Sequence, residues 1–400
     1  MKSNAVAIES YATIEPETLY RRARSLVPLL ASLADAHARA QRVSDEAINA
    51  MREQQLFKIL QPRRWGGFEM SPAVFYEVQT ILAEGDMASA WCFGILGVHS
   101  WHLALFDDGA QADVWGDDDD VLIASTYMPV GKLTPVEGGY RMSGRWRFSS
   151  GCDNGNWIML GALVPAAGGD SEPATLLVPN EDLRIVEDSW EVAGLCGTGS
   201  KDIVVEDAFV PFHRIHLHSD GYRCDSPGNR VNIGPLYRLP FGQVFIRAVN
   251  TAAIGALKRL TDEVAAYAAR RVSPFGGKSS DNPATQLAIG EALAAVHEMK
   301  ALMHHNFALL EQYVADGEEI PLQLRLMFKY QAAQVSTRAA DISARLYRTV
   351  GGTGLFLDQP FARIVADIAA ARQHQFNQDF PYATNLGSVA MGNPNTDHFI

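Results

Sequence analysis

Five short β-rich runs interrupt a chain that is otherwise patterned for helix, and this change of hydrophobic period limits the fold more than any other feature. Residues 121–127, 139–148, 157–164, 174–178 and 202–206 are rich in branched and aromatic side chains and are separated by Gly, Pro, Asn and Asp, the pattern of strands joined by turns. In the second run Tyr140, Met142 and Gly144 alternate with Arg141, Ser143 and Arg145, as in a sheet with one wetted face. Upstream, apolar residues recur at three and four, first at Leu26, Leu29, Leu30 and Leu33, then at Ile48, Met51, Leu56 and Ile59. That is helical spacing. Ser44 is placed to cap the second helix, and Pro28 is expected to bend or interrupt the first. Residues 72–85 predict a further helix, and 88–106 one so apolar on every side that it belongs at the centre. Trp65-Gly66-Gly67 lies ahead of both as a loop.

Helices return after Phe241, over 283–314 and 361–376, with a seam at Leu326, Tyr330, Ala333, Thr337, Ala340, Ala344 and Tyr347 suited to close packing. Residues 221–240, rich in Gly, Pro, Asn and Arg, read as a long connection and a candidate lid. The expected fold is α+β: an N-terminal helical domain over 1–120, a central β-barrel or sandwich domain over 121–225, and a C-terminal helical bundle over 226–400.

Composition excludes several functions. Charged residues are 20% of the chain and no apolar run is long enough to span a bilayer, so no membrane association is expected. The N-terminus has no basic start, apolar stretch and cleavage site of a secretory signal, which points to the cytoplasm. A net charge of −12 disfavours nucleic acid, whose phosphates need clustered Lys and Arg. Asp117–Asp120 reads as a solvated loop tip. Cys92, Cys152, Cys196 and Cys224 are in neither CxxC nor Cys/His spacing, so reduced, buried thiols are expected and no metal.

Val350-Gly-Gly-Thr-Gly354, Asp358-Gln-Pro360, Arg363 and Asp367 resemble the C-terminal signature of the acyl-CoA dehydrogenase fold, with its C-terminal four-helix bundle. Eight residues beyond Asp367, where the dehydrogenases carry a glutamate base, this chain has Gln375 with His374 beside it. The wider set is Leu60-Gln-Pro62, Trp65-Gly-Gly67, Gly97-Val-His99, Trp101–Phe106, Val114-Trp-Gly116, Phe148-Ser-Ser-Gly-Cys-Asp153, Gly194-Leu195, Gly197-Thr-Gly-Ser200, Phe209-Val-Pro211 and His374. It resembles the oxygenase components of two-component flavin-dependent monooxygenases, the branch that includes 4-hydroxyphenylacetate 3-hydroxylase and 3-HSA hydroxylase. Asn154 and Thr126 depart from that pattern, where histidine and serine are usual.

The resemblance implies a bound reduced FMN or FAD, delivered by diffusion from a separate NAD(P)H:flavin reductase, with O2 as co-substrate. A C4a-hydroperoxide then hydroxylates a small aromatic, expected to be a phenol attacked ortho to its hydroxyl, in a homotetramer. It assigns Arg271, Phe275, Gly351, Gly352 and Gly354 to the phosphate side of the flavin, where a guanidinium fork and side-chain-free backbone suit phosphate. Each element alone also reads as a helix-ending turn. Ser149 and Ser150 fall where hydroxyls reach flavin N5, with a donor expected there, and Thr198 at its edge; the serine pair also reads as a plain strand end. His99, Ser125, Thr126 and Trp101 are implied to bind substrate, His99 and Ser125 favouring the phenolate. His99 and His102 on an apolar helix also read as satisfied core residues, the commoner case for a lone histidine there. His374 takes the corner of the missing base. Oxygenation of indole or another heteroatom-containing aromatic is the alternative, ahead of dehydrogenation or a non-catalytic flavin-binding protein.

Overall fold

The computed structural model describes residues 14–165, 170–272 and 276–400. Its first helix, α1 (Pro16–Ala40), buries Leu19, Ala23, Leu26 and Leu30 on one stripe and runs unbroken through Pro28. The expected interruption is absent because the stripe packs on both sides of the proline, so tertiary contact offsets the one lost N–H. α2 (Asp45–Glu53) begins at Ser44, whose hydroxyl accepts the Ala47 N–H, as the cap position predicts. α3 (Pro72–Ala83) leads to α4 (Met87–Leu103), every residue of which is buried; α5 (Asp108–Trp115) follows. The acidic run is more than a solvated tip. The ammonium of buried Lys58 pairs with Asp119 and Asp120, each at 2.8 Å, which pins the loop to the helical layer.

The described residues form one seven-stranded mixed sheet in the order β5-β6-β2-β1-β3-β4-β7. Its strands are β1 (Ile123–Val136), β2 (Gly139–Ser149), β3 (Trp157–Pro165), β4 (Ser171–Pro179), β5 (Leu183–Val186), β6 (Lys201–Pro211) and β7 (Ile215–Leu217). β1 is shared. It runs parallel to β3 over 123–131 and antiparallel to β2 over 132–136, with a register break between Thr126 and Gly131. Such a break bends the strand, so one strand serves two halves of the sheet. β5 and β7 were not legible in the sequence, since runs of four and three residues carry no measurable period.

Beyond the sheet lie α6 (His218–Arg223), α7 (Phe241–Ala248), α8 (Ala252–Arg270), α9 (Pro283–Ala315), α10 (Leu322–Val350), α11 (Phe361–Ala371) and α12 (Asp379–Ala390). The candidate lid over 221–240 is tied down instead: Tyr237 donates to Leu60 O at 3.1 Å, and Asn232 Nδ2 to Ala104 O at 2.8 Å. In α10 the buried stripe runs through Phe328, Ala332, Val335, Ala339, Ile342 and Leu346. The seam read from the sequence is rotated from it, because Leu326 and Ala333 are buried while Tyr330, Thr337, Ala340 and Tyr347 are only partly so and Ala344 is exposed. Small residues suit either face, so their spacing did not select one. The last predicted helix ends five residues early, at Ala371, and His374 lies outside it in extended backbone. No described helix is long and apolar enough to cross a membrane.

Candidate functional site

α4 passes beneath the first residues of β1, and His99 joins the two. Its Nδ1 is 2.7 Å from Ile123 O. A carbonyl only accepts, so Nδ1 carries the ring hydrogen and Nε2 is bare. That Nε2 is buried without a partner. Burial lowers the His99 pKa to about 4, against the opposing pull of the Ile123 carbonyl. The ring is therefore a neutral acceptor of fixed tautomer, an arrangement costly in a core unless a ligand supplies the missing donor. Tyr127 stands edge-on to it at 6.0 Å, and Phe245 stacks at 6.1 Å.

A second cluster forms where β2 ends. Trp91 Nε1 donates to Ser150 Oγ at 3.1 Å, Ser150 meets Ser200 at 2.7 Å, and Ser200 meets Thr198 at 2.7 Å. Thr198 donates its one hydroxyl hydrogen to Leu195 O at 2.8 Å. Ser200 must then donate to Thr198, and Ser150 to Ser200. Ser150 thus offers a further neighbour a lone pair, which reverses the donor polarity expected of this serine. Ser149, on the other side of the strand, is fully buried and its Oγ has no partner. Between Trp146 and Ser149 the ladder to β6 breaks register, and Phe148 holds φ +66 while remaining exposed. A non-glycine residue in that region is strained, and strain of this kind concentrates at functional sites.

His374 accepts the Phe376 N–H on Nδ1 at 3.2 Å, so in the neutral ring Nε2 bears the hydrogen and has no protein acceptor among the described residues. Burial lowers its pKa to about 4. Its ring lies 5.9 Å from Trp91, the residue that holds Ser150. An aromatic path joins it to His99: Phe376 is 5.5 Å from His374, and Phe245 is 5.9 Å from Phe376. Phe399 stacks on Phe376 at 4.7 Å. The fold therefore gathers His99, Ser150 and His374 around Trp91, Phe245 and Phe376. The three aromatics were missed because nothing local distinguishes them from other core residues.

Two expected members stand elsewhere. Thr126 faces away from Ser125, as neighbours on a strand must, and donates to Arg147 O at 2.8 Å. Trp101 is fully buried, with its indole N–H on Leu236 O at 3.0 Å and its ring on Phe241 at 5.7 Å. It supports the aromatic wall from behind. The glycine run and Arg271 do meet within one chain. Arg271 donates to Val350 O at 2.7 Å and its guanidinium lies 3.4 Å from where a Cβ on Gly351 would be. Tyr267 bonds Thr353 at 2.8 Å, Tyr347 bonds Gly354 O at 3.0 Å, and a Cβ on Gly354 would strike Tyr347. Gly351 has φ +68, and the space beside Gly352 is open. Phe275 lies outside the described residues.

Residues 248–379 match the family described as acyl-CoA dehydrogenase, C-terminal domain. Over 382 residues the chain is 34% identical to the flavin-dependent monooxygenase, oxygenase subunit HsaA, of Rhodococcus jostii strain RHA1, covering 95% of this chain and 100% of that one. It belongs to the oxygenase components of the flavin-dependent monooxygenases. This oxygenase is also 34% identical over 387 residues to the FADH(2)-dependent resorcinol hydroxylase, oxygenase component, of Rhizobium sp. strain MTP-10005, with 94% of each chain covered. The crystal structure of 3-HSA hydroxylase from Rhodococcus sp. RHA1 superposes with a TM-score of 0.92 at 33% identity, covering 96% of the oxygenase and 99% of that chain.

The residues present fit a flavin. Ser149 supplies an orphaned buried hydroxyl, Ser150 a free lone pair, and the Arg271 and Gly351 cluster a cation beside unobstructed backbone. No carboxylate hydrogen-bonds Trp91, Ser150 or His374 among the described residues.

The buried imidazoles make the oxygenase acid-sensitive. His99 and His216 are held neutral by burial, with pKa values lowered to about 4 and about 3, against roughly 6.5 in the unfolded chain. Their folded pKa is depressed, so the unfolded state binds more protons below pH ~6.5 and stability falls from there down to pH ~4 for His99 and pH ~3 for His216. Each should remove about 2 kcal/mol by pH ~5. Denaturant melts at pH 7.5, 6 and 5 check this; a flat profile would contradict it.

Proposed function

We propose that this oxygenase hydroxylates a small phenol ortho to its hydroxyl, with reduced FMN or FAD and O2. One observation carries the reading: the buried, partnerless Nε2 of His99, held as an acceptor by Ile123 O. A phenolic O–H is a weak acid with a strong donor hydrogen, so it satisfies that atom. Drawing the proton toward the imidazole raises electron density at the ortho carbon. Ser125, on the same strand as Tyr127, would meet the same oxygen. Bound flavin supplies the two-electron activation of O2.

The protein's own residues bind, orient and keep water out. Arg271 with Gly351, Gly352 and Gly354 would hold the phosphate side. Ser149 and Thr198 would border the ring system, and Ser150 would accept the N5 hydrogen. His374, with Nε2–H free, would donate on the side where the dehydrogenases carry their base. The aromatic residues around it exclude water, which limits loss of oxygen as hydrogen peroxide. Ser150→Ala is expected to raise hydrogen peroxide released per flavin oxidised by severalfold, at a stability cost of about 1–3 kcal/mol because the buried Trp91 N–H loses its acceptor. Peroxide and product titration checks the ratio, and unchanged coupling would remove Ser150 from this role.

A separate flavin reductase supplies the reduced cofactor, and a cytoplasmic homotetramer is the proposed assembly. Leu355, Phe356 and Leu357 are 74%, 64% and 96% exposed, an apolar tip consistent with burial against another subunit. The deciding experiment supplies reduced flavin through an added reductase under labelled O2 and offers phenols, indole and thiophenes in parallel. Labelled ortho-diols are expected from phenols alone. Oxygenation of only indole or thiophene, or NADH oxidation without reductase, would overturn the reading.

A further inference from the structure

Lys329, on α10, is a buried cation, 1% exposed, that the proposed chemistry leaves unused. Its Nζ donates to Asp397 Oδ2 at 2.7 Å and to Phe399 O at 2.6 Å, and it stands over the rings of Tyr382, Phe399 and Phe376 at 4.5, 5.3 and 5.7 Å. A charge this far from water is tolerated only when its hydrogens are bonded and its charge is answered, here by one carboxylate and three ring faces. All of these partners lie beyond α11 in the chain.

Residues 395–399 are held in one conformation. Asn395 Oδ1 accepts the Asp397 N–H at 3.0 Å, Asp397 Oδ1 accepts the Phe399 N–H at 2.9 Å, and Asn385 Nδ2 on α12 donates to Asn395 Oδ1 at 2.8 Å. The same backbone lies against α7, where a Cβ on Gly242 would strike Phe399 O, so glycine is needed for the approach. The Phe399 ring is fixed in turn. It stacks on Phe376 at 4.7 Å with the planes 8° apart, and meets Phe241 and Phe245 edge-on at 5.1 and 6.1 Å. Phe241 and Phe245 are themselves stacked at 5.8 Å, 6° apart. Two stacked pairs therefore cross at nearly a right angle, the edge-to-face arrangement that aromatic quadrupoles favour.

We propose that Lys329 and Phe399 are positioning residues that hold the aromatic wall joining His374 to His99, and so set the size of the ring system the site accepts. The inference rests on the site reading above. Phe399 touches both rings that link these histidines: Phe376, whose N–H fixes the His374 tautomer, and Phe245, which stacks on His99. Lys329 grips the Phe399 carbonyl and the carboxylate that in turn holds the Phe399 N–H. With backbone and ring both held, Phe376 and Phe245 cannot turn aside for a wider substrate, because a close-packed wall yields little. Gly242, Lys329 and Phe399 share no sequence motif; the fold alone brings them together.

The test uses the full-length enzyme with reduced FMN regenerated by an added reductase, and compares 4-methylphenol with 2-naphthol, one ring against two. Phe399→Ala is expected to raise the ratio of kcat/KM for 2-naphthol over 4-methylphenol roughly tenfold, the discrimination that a small change of pocket volume gives. Phe399→Leu, which fills more of the space, should move the ratio less, and Phe399→Tyr, which keeps the ring, should leave it native. Lys329→Met should shift it in the same direction as Phe399→Ala from the far side of the clamp; if that variant does not fold, Asp397→Asn releases the same grip. Reduced-FMN affinity should stay native throughout. A merely structural defect lowers both substrates alike and leaves the ratio where it was. An unchanged ratio in folded Phe399→Ala or, where alanine does not fold, in Phe399→Leu overturns the proposal, as does a shift there with none on release of the clamp. A native enzyme that oxygenates neither compound overturns the site reading itself, and this inference with it.

Discussion

Replacing His374 with alanine is expected to lower product formation about a hundredfold or more, the usual contribution of a residue that holds or moves a proton at the reacting centre. Reduced-flavin affinity should stay within a few-fold. The ring is held in one tautomer by the Phe376 N–H and lies against Trp91, so alanine removes a fixed donor while the backbone turn over Gln375–Asn377 keeps its other hydrogen bonds. His374→Gln should recover part of the loss, since an amide also donates. His374→Glu should not, because a carboxylate beside Trp91 brings an acceptor and a charge where a neutral donor stood. Product yield per reduced flavin, measured by chromatography, checks the series. Native yield in His374→Ala would remove this residue from the mechanism.

The second large effect is expected at His99. His99→Ala should raise the apparent dissociation constant for phenolic substrates roughly ten- to hundredfold, and also slow hydroxylation of the substrate that does bind. Two losses combine: the acceptor for the phenol hydrogen disappears, and Ile123 O is left buried without its donor. An unsatisfied buried partner costs about 1–3 kcal/mol. His99→Asn, able to donate to Ile123 O, should keep the stability and still lose the phenolate. Indole, if it binds, should be much less affected. Equal losses for phenol and indole would indicate a packing role for His99 rather than recognition.

The helical ends, the β-insert and the histidine standing near the lost glutamate were legible from residues 26–60, 121–206 and 350–375 because each is local. Hydrophobic period, capping serine and glycine run are properties of neighbours in the chain. Misreadings occurred where a residue type suits two environments. The small residues of α10 fit either face, and Pro28 is tolerated in a helix whose packing holds it. Thr126 and Ser125 look interchangeable in sequence, yet the pleat sends one to Arg147 O and leaves the other on the opposite face.

Residue order alone thus settles the succession of helices, sheet and bundle, and puts His374 and Gln375 where the resemblance implies an acidic base. Hydrogen direction is a different kind of fact. Whether Ser150 gives or takes a proton depends on Thr198 bonding Leu195 O, and the bare face of His99 depends on Ile123 O, 24 residues away. Donors and acceptors acquire a sense only when burial has removed water as an alternative partner, and burial is created by the assembled fold.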